Sequence, residues 1–189
     1  MKKPYLFPIL LSLLLTTIGF SCPEECESYD DVPLRIDSIS TQALDNRADK
    51  PVLLPSGAEG FLNAYGFRLF LNAVAADSLY DGDFCDNYYL SPIITGCHIY
   101  SLTPFAGGPG ADVSALFRYV DQSGYLPRYT AVSESAAQIV QDWNFTSLQR
   151  FDFLLVQPPA VEGWYQFELR LTMQDSTEIS TVTDLIYLK

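Results

Sequence analysis

Tyr165-Gln166-Phe167-Glu168-Leu169-Arg170-Leu171-Thr172-Met173 sets an apolar or aromatic residue at every odd position and a polar one at every even position. A two-residue period turns one face to a core and the other to water, which is the pattern of a half-buried β-strand. Gln174-Asp175-Ser176 then supplies a turn, and residues 177–188, rich in Thr, Ile and Val, form the return strand. Upstream, Arg150–Val156 is a further strand that ends at Pro158-Pro159. The C-terminal quarter of the chain is therefore β, and the rest must supply a second layer to cover its apolar face.

That layer is visible further back. Tyr65, Phe67, Leu69, Leu71 and Ala73 share one face of a strand over Tyr65–Ala75. Leu34 and Ile36 alternate with Arg35 and Asp37 in a first strand over Val32–Leu44, and the phase slips at Ile39, which predicts a bulge. Pro92–Leu102 carries apolar residues on both faces and is expected as a central strand. Residues 45–60 are expected as loop. Two helices interrupt the β pattern. Asp112 would cap the first, with Val113, Leu116, Phe117 and Val120 on one side. The second spans about Glu134–Trp143, with Ser135 and Gln138 as a capping box.

Six or so strands joined by turns favour a mainly β fold, a two-sheet sandwich with one or two short helical inserts. Pro159, Gly163, Tyr165 and Phe167 resemble the tyrosine corner of immunoglobulin-like sandwiches, without the Cys that follows the Tyr by two residues there. The resemblance implies that the Tyr165 hydroxyl bonds back to the chain a few residues upstream.

The other informative stretch is Ile18-Gly19-Phe20-Ser21-Cys22-Pro23-Glu24-Glu25. Lys2 and Lys3 precede an apolar run over Ile9–Ile18 that is too short for a spanning helix of about 20 residues, so residues 1–21 read as a signal peptide. Two processing routes fit. Gly19 and Ser21 suit an ordinary signal peptidase. Ser21-Cys22 resembles a bacterial lipobox, with Gly19 where Leu is commoner and a bulky Phe20; it implies acylation of Cys22. Glu24 and Glu25 after that Cys resemble the surface-export signal of small Bacteroidota-type lipoproteins, a class that implies a lipid-anchored domain on the cell exterior and no particular substrate. Residues 22–31 are then an acidic tether and 32–189 the β domain.

Composition limits the partners. Removing 1–21 takes two of 11 basic residues and none of 23 acidic ones, which leaves 168 residues with a formal charge of −14. Phosphate binding needs clustered cations, so nucleic acid is excluded as a partner. A single histidine, His98, rules out paired-His metal sites and mechanisms. No nucleophile elbow, phosphate loop or dinucleotide fingerprint occurs.

The remaining candidates are weaker in pattern. Asp77, Asp81, Asp83 and Asp86 lie around Gly82 and could offer the oxygens that calcium takes, although the spacing is not that of an EF-hand. Cys85 and Cys97 flank one turn-rich loop and are expected as a disulfide, worth about 3 kcal/mol in the chain-entropy picture. Ser38, Ser78 and Ser176 each follow an Asp and precede Ile, Leu or Thr, which resembles the O-glycosylation motif of exported Bacteroidota proteins. Trp164 falls on the polar phase of its strand, so its ring should face solvent and be free to stack on a ligand. The favoured function is a surface-exposed outer-membrane lipoprotein that binds a protein or a glycan without catalysis. A structural or envelope-assembly role and a hydrolase using two carboxylates are the alternatives.

Overall fold

The computed structural model describes residues 31–48, 51–55, 57–77, 87–121, 128–141 and 148–189. Two β-layers face each other across an aromatic core. The larger sheet runs in the order β2-β1-β4-β9-β7-β8, with β5 added in parallel beside β1. Its strands are β1 (Asp31–Asp45), β2 (Val52–Leu53), β4 (Tyr65–Ala75), β5 (Asn87–Leu90), β7 (Phe117–Asp121), β8 (Arg128–Ala131) and β9 (Leu148–Leu155). The opposite layer has two three-stranded pieces. One is β10 (Gly163–Tyr165), β13 (Ile186–Leu188) and β3 (Glu59–Gly60); the other is β12 (Glu178–Val182), β11 (Phe167–Met173) and β6 (Ile94–Ser101).

The alternation in 165–173 is realised in full. Tyr165, Phe167, Leu169, Leu171 and Met173 are buried, and the residues between them are partly exposed. Phe167 is fully buried and joins the layers: its ring centroid lies 5.8 Å from Tyr65, 5.2 Å from Phe117 and 5.6 Å from Phe105. The inward face of β4 is the one expected from its pattern. At Gly66 an added Cβ would sit 2.6 Å from both Leu154 Cδ2 and the Phe153 carbonyl oxygen. Only glycine lets that neighbour approach so closely.

The C-terminal hairpin is bent rather than continuous. Tyr165 pairs with Ile186 and Glu168 with Val182, so the return strand carries one extra residue between the two registers. Thr183 occupies the bend. It is buried; its N–H donates to the Phe167 carbonyl at 2.8 Å, and its Oγ1 accepts from the Phe167 N–H at 3.0 Å. This bulge redirects the hairpin so that its two halves join different sheet pieces.

Three expectations are corrected. Phe117–Asp121 is strand, preceded by a single 3₁₀ turn over Ser114–Leu116, because Phe117 and Tyr119 face the main core while Val120 enters a small cluster with Leu44 and Leu154. Burial on both sheet faces imitated a helical spacing. The helix that does form, α1, runs Val132–Gln141, and Ser135 lies within its first turn, donating to the Val132 carbonyl at 2.6 Å. Strand β6 pairs with β11 on one side only, so it is an edge rather than a central strand. Its other edge is covered by residues 110–114: Val113 N–H donates to the Ile99 carbonyl, and Ile99 N–H donates to Ser114 Oγ at 2.8 Å. The phase slip expected in β1 is found between Ile36 and Ser38.

Register also fixes the poles of the sandwich. Asp31 and Leu34 lie at the Ala75 end of β4, whereas Asp45, Leu154 and Phe117 gather near Tyr65 and Gly66. The chain therefore enters the domain at one pole, and the tyrosine-corner loops stand at the other.

Candidate functional site

The outward face of the C-terminal layer is built by the polar phase of 164–172. Across β6, β11 and β12 the registers produce three rows: Tyr100–Glu168–Val182, His98–Arg170–Ser180 and Gly96–Thr172–Glu178. Across β10, β13 and β3 they produce Trp164–Tyr187–Glu59. Trp164 is 57% exposed, as its sequence phase requires, and meets Tyr187 edge to face at 5.4 Å between ring centroids. Held by neighbouring strands, these rings lose little freedom when a ligand arrives.

Arg170 and His98 in these rows each lie against a carboxylate. Arg170 reaches Glu168 at 3.0 Å and Glu178 at 3.7 Å, and its guanidinium lies over the Tyr100 ring at 4.6 Å. His98 Nδ1 is 3.0 Å from Asp112 Oδ2, and its ring stacks beside Tyr100 at 6.2 Å. Lys189 pairs with Glu59 at the end of the Trp164 row. Burial opposes ionisation of Asp112, but hydrogen bonds from Ser114 and His98 outweigh it and hold the carboxyl below its ordinary value. The face thus carries more carboxylates (Glu59, Glu168, Glu178 and Asp112) than fixed cations (Arg170 and Lys189), with Trp164 its exposed ring and Tyr100 and Tyr187 half-buried beside them.

A second feature lies at the pole away from Asp31. Pro104, Phe105, Leu116, Pro158, Val161 and Tyr165 are among the residues lining an open apolar groove of about 380 Å³. Tyr165 Oη donates to the Val161 carbonyl at 2.7 Å, so the tyrosine corner is present in its hydrogen bond, and it pins the loop that forms one wall.

Of the expected Cys85–Cys97 pair, Cys97 is a free cysteine, fully buried on the inward face of β6 beside Ile99, and Cys85 lies outside the described residues. Burial pushes the Cys97 thiol up to about 12, against a smaller opposing hydrogen bond with Ser135, so at neutral pH it is an inert thiol. Asp77 is exposed at the end of the β4 segment, while Asp81, Asp83 and Asp86 lie outside the described residues. Among the described residues, no three His, Cys, Asp or Glu side chains gather closely enough to hold a metal. Ser38 is exposed at the β1 bulge and Ser176 in the β11–β12 turn, where its φ is +68°; Ser78 lies outside the described residues, as do Cys22, Glu24 and Glu25. No described helix is long and apolar enough to cross a membrane.

The charge-paired rows escaped the sequence reading. Glu168 and Arg170 were visible as the polar phase of one strand, but their partners Tyr100, His98 and Glu178 come from strands whose register no local pattern gives. No protein-family model matches the chain, and comparison of its sequence with curated proteins finds no match.

Proposed function

We propose that this protein is a lipid-anchored binding module of the bacterial outer membrane, displayed on the cell exterior, whose β-sandwich holds a ligand on the outward face of its C-terminal layer. The observation that carries the binding reading is the exposed Trp164 ring, set edge to face against the half-buried Tyr187 on a sheet face whose register is fixed by hydrogen-bonded neighbours. Exposed aromatic surface on a rigid scaffold is favourable to bury on binding and costs little to order. The anchor rests on the sequence of residues 18–25. The fold supports it in one respect: the tether joins at Asp31, at the pole opposite the Tyr65 end, where β10, β13 and the groove stand. A chain held at Cys22 would turn the Trp164 row away from the lipid.

Fractionation of cells expressing the parent and Cys22→Ser, with surface labelling of intact cells, tests the proposal. The parent should sit in the outer membrane and accept label, whereas Cys22→Ser should be lost to soluble fractions. Equal membrane retention of both would defeat the anchor.

A further inference from the structure

We infer that the acidic outward face of the C-terminal layer docks a second copy of this chain, through the opposite face of that copy's sandwich, so that copies stack front to back. This names a partner for the binding face proposed above and rests on that reading. The two outward faces differ in the sign of their charge. On the C-terminal layer Glu59, Glu168, Glu178 and Asp112 outnumber Arg170 and Lys189, and Glu59, Glu178 and Asp112 are exposed. The outward phase of the larger sheet is the one that holds Leu44, Val120 and Leu154, off the main core. On β4, β9 and β7 that phase carries Arg68, Arg150 and Arg118 against Asp152 alone. Asp152 is taken by Arg68, at 2.6 Å. Arg118 donates to the backbone carbonyls of Ala115 and Phe117, which leaves its charge without a carboxylate. Arg150 is exposed, and no carboxylate pairs with it. On β1 the same phase adds an exposed and unpaired Arg35, together with Asp31 and Asp37, so the cationic excess lies over β4, β9 and β7. Four of the nine bases beyond residue 21 (11 less Lys2 and Lys3) therefore share one face, in a chain with 23 acids.

Like faces repel, so two copies that meet through the same face gain nothing from these charges. The two unlike faces attract, and they stand on opposite sides of one sandwich. A contact between them is heterologous and repeats by translation along the sheet normal, which builds an open row. Translation also keeps the Asp31 pole of every copy on the same side, so copies tethered to one membrane can stack without turning over. Each face brings exposed apolar surface to bury: Tyr129, in the outward phase of β8, on one, and Trp164 and Val182 on the other. An interface this polar is weak in dilute solution and gains from the raised effective concentration of copies held on one surface.

Sedimentation velocity of the mature protein in detergent, at rising protein concentration and at low and high salt, tests the stack. At low salt the parent should sediment faster as concentration rises, without stopping at a dimer, and should return to monomer at high salt. Two variants separate the faces: Arg35→Glu with Arg150→Glu reverses the basic one, and Glu59→Lys with Glu178→Lys the acidic one. All four side chains are exposed, so both variants should keep the parent's melting temperature. Each variant alone should stay monomeric. Mixed, they should form a dimer and nothing larger, because each supplies the one face that the other lacks. A parent that is monomeric at every concentration, and equally one that binds phosphatidylglycerol vesicles while remaining monomeric, would overturn the second copy as partner and leave the Trp164 face to another ligand. Association that ignores salt or stops at a dimer would overturn the stack. Association undiminished in Glu59→Lys with Glu178→Lys would overturn the C-terminal face as the docking face altogether. Fractionation of Cys22→Ser decides the anchor independently of these results.

Discussion

Replacing Phe167 by Ala and, separately, Trp164 by Ala sets the two faces of one strand against each other. The residues are three apart, both aromatic, and separated in environment by the alternation alone. Phe167 is fully buried and packs on Tyr65, Phe105 and Phe117 from three other elements. Its truncation removes an aromatic side chain from the contact between the sheets and leaves a cavity that three rings fixed by their own neighbours cannot fill. Loss of such a side chain costs about 3–5 kcal/mol, transfer and cavity together. A domain of this size is stable by about 5–15 kcal/mol, so the variant should remain folded in water with its urea midpoint far lower and its m-value unchanged. Trp164 is 57% exposed and packs mainly on Tyr187, so its truncation should lie within about 0.5 kcal/mol of the parent. Equilibrium urea unfolding followed by far-ultraviolet circular dichroism measures both. A cost below about 1 kcal/mol for Phe167→Ala, or equal costs for the two, would refute the reasoning that places the core.

Other perturbations probe separate parts. Cys97 should resist alkylation by a maleimide in the native protein and react fully in urea without reductant; failure to react in urea would restore a disulfide. Tyr165→Phe removes the bond to the Val161 carbonyl and should cost about 1 kcal/mol, with increased protease cleavage in the loop around residues 158–162. Asp152→Asn breaks the two-pronged contact with Arg68, at 2.6 and 2.9 Å, on a carboxyl only 3% exposed. That single change should cost about 2–3 kcal/mol, whereas Arg68→Met with Asp152→Leu should cost much less, as thermal melts would report. The carboxyls of Asp45, Asp112 and Asp175 are held below their ordinary value of 3.8, by the Arg47 side chain at Asp45, by bonds from Ser114 and His98 against burial at Asp112, and by Thr177 at Asp175. Depressed folded values favour the native state above the unfolded value, so their contribution should be intact above about pH 5 and lost as pH falls through and below 3.8. Melting temperature against pH in the parent and Asp112→Asn checks this, the variant showing the shallower acid decline.

Local pattern made part of this architecture legible. Alternation at Tyr65–Ala75 and Tyr165–Met173 gave both inward faces because each strand is buried on one side only, the condition under which a period of two is unambiguous. The tyrosine corner was equally readable, since its donor and acceptor lie four residues apart. What failed depended on distant partners. Val120 is buried on the outer sheet face by Leu44 and Leu154, from strands far away in sequence, and this made a strand resemble a helix. The bend at Thr183 depends on which neighbour each half of the hairpin finds. That Cys97 is a buried free thiol was not legible either, because a cysteine beside a turn-rich stretch gives no sign of which way its strand faces. In the candidate site, Trp164 was found from phase alone, but the pairing of Arg170 with Glu168, Glu178 and Tyr100 needs the register.

Intact mass of the mature protein extracted from membranes bears most directly on the account of a domain held by lipid at its front end. The account predicts a chain that begins at Cys22 and carries the added mass of acyl groups on that residue. An unmodified chain beginning at Cys22 or nearby would contradict it and make the protein a freely secreted domain.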